Sequence, residues 1–211
     1  MTTTRDKQGV IKSTIHDIKR TREIAVTLSR HGFHGVLTAI GLEAWLAGTS
    51  QPAAQAPTDL KNLAVQARQA LEELGPTFIK LGQILSTRPD LLPPVFIHEF
   101  QKLQDRAPTV SADDVIAQIE GALGKAVIDL YATFDAEPIA TASMAQVHRA
   151  TLHDGREVVV KVQRPEIGPQ IRSDLAILHY MARLGEATVD EIGLYNPVGI
   201  VKEFEKAITE G

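Results

Sequence analysis

One lysine stands inside an apolar, β-branched run, EVVVKVQ, at residues 157–163. Strand alternation puts Val158, Val160 and Val162 on one face and Val159, Lys161 and Gln163 on the other. Burying an ammonium in such a strand is costly unless something anionic meets it. Nucleotide phosphates would meet it. A sheet with a solvated second face, on which Lys161 is merely exposed, is the alternative. Upstream, Ile139–Val147 reads IATASMAQV. Backbone N–H groups grip phosphates best where no side chain blocks approach, which is why such loops usually carry glycine. Here no glycine occurs between Pro138 and Gly155. Alanine is the next smallest choice, and Ala140, Ala142 and Ala145 are spaced among Thr141, Ser143, Met144 and Gln146. Such a loop can approach a nucleotide, but stiffly, with a Cβ at each step. A small-residue turn packed under the sheet is the competing reading.

A second polar pair lies far upstream, in TFIKLGQILSTR. Lys80 and Gln83 are i and i+3 on one helix face, and Thr87 extends the stripe. Phe78, Leu81 and Leu85 form a different, buried face. A plain solvated stripe would look the same.

The elements that position these residues follow from local signals. Val147–Leu152 and Glu157–Gln163 read as two strands joined through His153-Asp154-Gly155-Arg156, and Asp-Gly is a strong hairpin signal. Residues 5–30 read as a helix with Ile11, Ile15, Ile18 and Ala25 on its apolar face. The most apolar window, residues 32–48, is too short to span a bilayer and reads as a packed helix, with a membrane-surface helix as the minority reading. A Pro/Ala/Gln-rich linker follows at 48–57. Helical patterns resume at 59–74, break at Gly75-Pro76, and continue towards Pro89. Pro93-Pro94 opens a short helix through Leu103. Ser111 with Asp114 reads as an N-cap for a helix ending at Gly124. After the hairpin, Ile171, Leu175, Leu178 and Ala182 share a face. Asn196 and Pro197 open a last helix with Val198, Val201, Phe204 and Ile208 on its apolar side. Helices, then a small sheet, then helices make an α+β chain.

Composition narrows the class. The 211 residues are 44% hydrophobic but only 5% aromatic, so the core is mainly aliphatic. A net charge of −4 argues against general nucleic-acid binding. Residues 1–30 alone carry seven Lys/Arg against three acids. Cysteine is absent, which removes disulfides and thiolate metal sites and fits a reducing, cytoplasmic setting. The basic start runs into an amphipathic pattern rather than a compact apolar block, so no secretory signal is expected.

Taken together, LGPTFIKLGQILSTRPDLLP, PIATASMAQVHRA, VVVKVQRPEI, IRSDLAIL and EFEKAI resemble the UbiB family of atypical protein-kinase-like proteins, the ADCK or AarF group. The resemblance covers roughly residues 58–210. It implies N-terminal helices and a linker (1–57), a helical extension carrying a K-x-G-Q signature (58–136) and part of a kinase-like N-lobe (137–211). It implies further that Ile139–Val147 covers ATP, that Lys161 contacts its phosphates, and that Lys80, Gly82 and Gln83 fold over the active site. Neither a catalytic-loop H-x-D-x-x-x-x-N nor a D-F-G occurs in the 211 residues, so the catalytic base and the magnesium ligands of the family are expected elsewhere. The expectation is therefore an N-terminal fragment, inactive by itself, of an ATP-dependent protein supporting ubiquinone biosynthesis. Its expected place is peripheral at the inner membrane, among anionic lipid and quinone-biosynthesis proteins. A non-catalytic membrane- or partner-binding helical module is the rival.

Overall fold

A computed structural model of the chain describes residues 4–39, 42–46, 59–104, 108–165, 167–188 and 196–210. The linker expected at 48–57 lies outside them. The fold is α+β. The chain divides into two compact units, Met1–Leu103 with Ile171–Gly211, and Gln104–Gln170.

The first unit is helical. It holds α1 (Thr4–Arg30), α2 (His34–Ala39), a short 3-10 turn (Glu43–Leu46), α3 (Leu60–Leu74), α4 (Pro76–Leu85) and α5 (Pro94–Phe100). Most of α8 (Ile167–Thr188) and all of α9 (Pro197–Glu210) complete it. Asp59 caps α3 by accepting the Asn62 N–H at 2.8 Å. Gly75, at φ 92°, ends α3, and Pro76 starts α4 where its missing N–H costs nothing. Ile24, Leu74, Phe78 and Ile177 form one core cluster, and Ala25, Leu37 and Leu42 another.

Two expectations fail here. Ile18 is exposed, whereas Arg20, Thr21, Ile24 and Ala25 are buried. The inward face of α1 is rotated because Arg20 has a distant partner: its Nε donates to Asp174 Oδ1 of α8 at 2.6 Å, and its Nη2 donates to the Leu74 carbonyl at 2.6 Å. The side chains of Ile11 and Ile15 lie outside the described residues. The apolar window 32–48 is not one helix but α2 and the 3-10 turn, with Leu37 and Leu42 buried against Ala25. Helical bounds also come out shorter than expected at Leu85 and Phe100.

The second unit builds the sheet. Helices α6 (Ala112–Leu123) and α7 (Val127–Leu130) precede β1 (Thr133–Phe134), β2 (Ala140–Thr141), β3 (Ala145–Thr151) and β4 (Glu157–Gln163). All pairings are antiparallel: β3 pairs with β1, β2 and β4. Ser111 caps α6 through the Asp114 N–H at 3.2 Å, and Gly124 closes it at φ 67°. Val115 and Ile119 of α6 bury the inner face of β4 at Val162, with Val160, Tyr131 and Phe134 around them.

Candidate nucleotide-facing site

The site grows out of the β3–β4 ladder. The register sets Ala145 opposite Gln163, Val147 opposite Lys161, Arg149 opposite Val159 and Thr151 opposite Glu157. Cross-strand partners share a face, so these eight residues form the outer face. Gln146, His148 and Ala150 with Val158, Val160 and Val162 form the inner one. Alternation within EVVVKVQ therefore holds as expected. Gly155 takes φ 86° in the connecting turn, where its N–H donates to the Leu152 carbonyl at 2.9 Å. That turn sets the register that puts Lys161 on the outer face.

The outer face is amphipathic. Val159 is 66% exposed, and Lys161 lies next to it in the alternation; Ile139, at the start of the loop, is 49% exposed. Ile139, Arg149, Thr151, Glu157 and Val159 help line a cavity of about 730 Å³. The lining is mixed, with Asp135, Arg149 and Glu157 beside Phe134, Ile139 and Val159, and Lys161 does not take part in it.

The alanine loop crosses the end of this ladder. Ala140 pairs with Val147 and Thr141 with Gln146. The Ile139 N–H donates to the Val147 carbonyl at 2.8 Å, and the Ala142 N–H to the Ala145 carbonyl at 2.9 Å. No residue of Ile139–Val147 has a positive φ, so the loop never enters the region that demands glycine. Ser143 and Ala145 are buried, Met144 is half-buried and Ala140 is exposed. Gln146 points its side chain to the inner face. There its Oε1 accepts the Val110 N–H, and its Nε2 lies 3.3 Å from His148 Nε2. What Gln146 offers the outer face is backbone.

Sequence reasoning missed Arg164. Lys161 is not the only cation the hairpin aims at the loop. The Arg164 Nε donates to the Ala142 carbonyl at 2.9 Å and its backbone N–H to the Met144 carbonyl at 3.0 Å. The only signal was its place one residue past the strand, which says nothing about carbonyls some twenty residues back.

The K-x-G-Q residues lie on α4, in the first unit. Gly82 is buried where a Cβ would come within 2.3 Å of Leu103 Cδ1 and 2.7 Å of Leu71 Cδ1. Gln83 Nε2 donates to the Leu103 carbonyl at 3.3 Å. These two residues fasten α4 to the end of the α5 segment. Lys80 is half-buried and makes no hydrogen bond or ion pair with the described residues. Phe78 is buried and Leu81 packs on the same cluster. Among the described residues no group of three His, Asp or Glu side chains is placed to hold a metal ion.

The model of the ABC1 atypical kinase-like domain matches residues 102–210, which include the whole sheet, the loop and Lys161. The chain belongs to the ABC1 atypical kinase-like family. It is similar to proteins named "Probable protein kinase UbiB". The one from Pseudomonas fluorescens Pf-5 is 49% identical over 152 residues, covering 72% of this chain and 28% of that protein. The one from Azotobacter vinelandii DJ is 50% identical over 145 residues, covering 69% and 27%. The chain thus spans little more than a quarter of the length of these curated relatives. Among solved structures it is similar to the Rv3197–erythromycin complex of Mycobacterium tuberculosis. Identity there is 32% and the TM-score 0.35, over 68% of this chain and 33% of the other.

Proposed function

We propose that these residues form the nucleotide-facing part of a UbiB-like atypical kinase or ATPase that binds ATP and supports ubiquinone biosynthesis at the membrane. The observation that carries the reading is the register of Val147 against Lys161, with the alanine loop crossing the same ladder. In this reading Ile139, Val147 and Val159 receive the base, and Lys161 meets the phosphates. ATP supplies the transferable or hydrolysable phosphoryl group. The chain's own residues bind it, orient it and exclude water from one side.

The base and the magnesium ligands that phosphoryl transfer requires have no recognisable motif in these 211 residues. The 211-residue chain is accordingly proposed to bind ATP weakly, with little dependence on magnesium, and not to turn it over. Calorimetric titration with ATP, with and without magnesium, tests this. Tight, magnesium-dependent binding or measurable hydrolysis contradicts it.

The net +4 of residues 1–30, or +3 without Arg20, which is buried against Asp174, supports peripheral association with anionic lipid. Each basic residue near such a surface contributes about 1 kcal/mol. Among the described residues no helix is long and apolar enough to cross a membrane. Flotation with phosphatidylserine liposomes is expected at low salt and lost as salt rises. Absence of flotation at low salt would refute the electrostatic attachment.

A further inference from the structure

We propose that Arg164 is the positioning residue of the nucleotide site, and that its guanidinium and backbone hold a loop without glycine in its binding shape. The inference rests on the nucleotide reading above.

Arg164 donates three hydrogen bonds that converge on the loop and the segment before α6. Its backbone N–H donates to the Met144 carbonyl at 3.0 Å, its Nε to the Ala142 carbonyl at 2.9 Å, and its Nη2 to the Pro108 carbonyl at 2.6 Å. The first two fix the tip of the alanine loop. The third fixes the segment that leads into α6, which Gln146 holds a second time by accepting the Val110 N–H. One side chain thus joins the end of β4, the loop tip and the approach to α6. Hydrogen bonds from a charged donor are roughly twice as strong as neutral ones, and a planar guanidinium reaches two acceptors in fixed directions. An ammonium at the same place is a single point.

The consequence for binding is a matter of ordering. A glycine-rich loop is permissive and must be ordered when the nucleotide arrives. Here the Ala142 and Met144 carbonyls are already turned towards Arg164, and the Ala142 N–H towards Ala145. Ordering is completed before the ligand binds. Arg164 follows Lys161 by three residues and stands just past the end of β4, so the clamp on the loop adjoins the strand that presents the phosphate cation.

The test uses the 211-residue chain with Arg164→Ala, Arg164→Lys and Lys161→Ala. Amide hydrogen exchange is followed in 139–147 and in 158–162, and ATP affinity is followed with a fluorescent ATP analogue. Both Arg164 variants are expected to speed exchange in 139–147 while 158–162 stays protected, and to weaken the nucleotide about tenfold through lost preorganisation. Added methylguanidinium is expected to restore loop protection in Arg164→Ala. A lysine variant that matches the wild type in both readouts shows that charge suffices, and overturns the proposal. So does unchanged loop exchange in Arg164→Ala, or equal loss of protection in 158–162 in both variants. If Lys161→Ala lowers affinity and Arg164→Ala does not, the proposal falls and the nucleotide reading stands. If neither lowers it, both fall.

Discussion

Val147 and Lys161 are direct partners across the β3–β4 ladder, so one cross-strand pair joins the alanine loop to the lysine. Everything proposed for the site depends on that register. A slip of one residue would carry Lys161 to the inner face, against Val115 and Ile119, and turn Val162 outward, a costly exchange for an ammonium.

The register in turn depends on Gly155. Its φ of 86° is open to glycine and strained for a β-branched residue, while the space around it is empty to 4 Å. Gly155→Val is expected to destabilise the sheet by about 1–3 kcal/mol through backbone strain alone. Gly155→Asn, which tolerates this region better, is expected to cost less. Urea unfolding of the two variants checks the order.

Arg20 and Asp174 form an ion pair between α1 and α8, with Arg20 7% exposed and Asp174 fully buried. The guanidinium also lies 5.7 Å above the Phe78 ring. Removing one partner leaves the other charge buried, so Arg20→Ala is expected to cost about 3–5 kcal/mol. The double variant Arg20→Met, Asp174→Leu is expected to recover much of that loss. Denaturant midpoints of the single and double variants measure it.

Glu99 joins α5 to α3. Its carboxylate is held below the usual glutamate range by the Lys102 ammonium first and by Arg68 at 3.2 Å second, against the opposing effect of burial. A depressed carboxylate stabilises the fold above its ordinary pKa, and that contribution is lost as pH falls through the folded value. Wild-type stability is therefore expected to decline on acidification across the glutamate range, and Glu99→Gln is expected to start lower and decline less. Thermal melts between about pH 7 and pH 3 report the difference.

What the sequence disclosed was what local chemistry decides. Ser111 and Gly124 bracket α6 because a cap and a left-handed stop act within a turn of their own positions. Asp154-Gly155 and the alternation of EVVVKVQ gave the hairpin and its faces for the same reason. Asn196 gave the start of α9, where its Oδ1 accepts the Gly199 N–H at 3.0 Å. Partners far apart in the chain were not legible. The face of α1 was misplaced because Arg20 is buried by Asp174, 154 residues away. Arg164 was overlooked because its acceptors are carbonyls, which every residue has. Gly82 reads as a signature in the sequence, and only the packing of Leu71 and Leu103 gives its size a physical reason.

The most direct measurement is ATP affinity before and after Lys161→Ala, in a chain whose loop exchange shows the hairpin intact. Losing a charged hydrogen-bond donor to phosphate, typically about 1.5–3 kcal/mol, predicts a loss of roughly tenfold or more in affinity. An unchanged affinity would mean that Lys161 does not contact the nucleotide, and would contradict the nucleotide site.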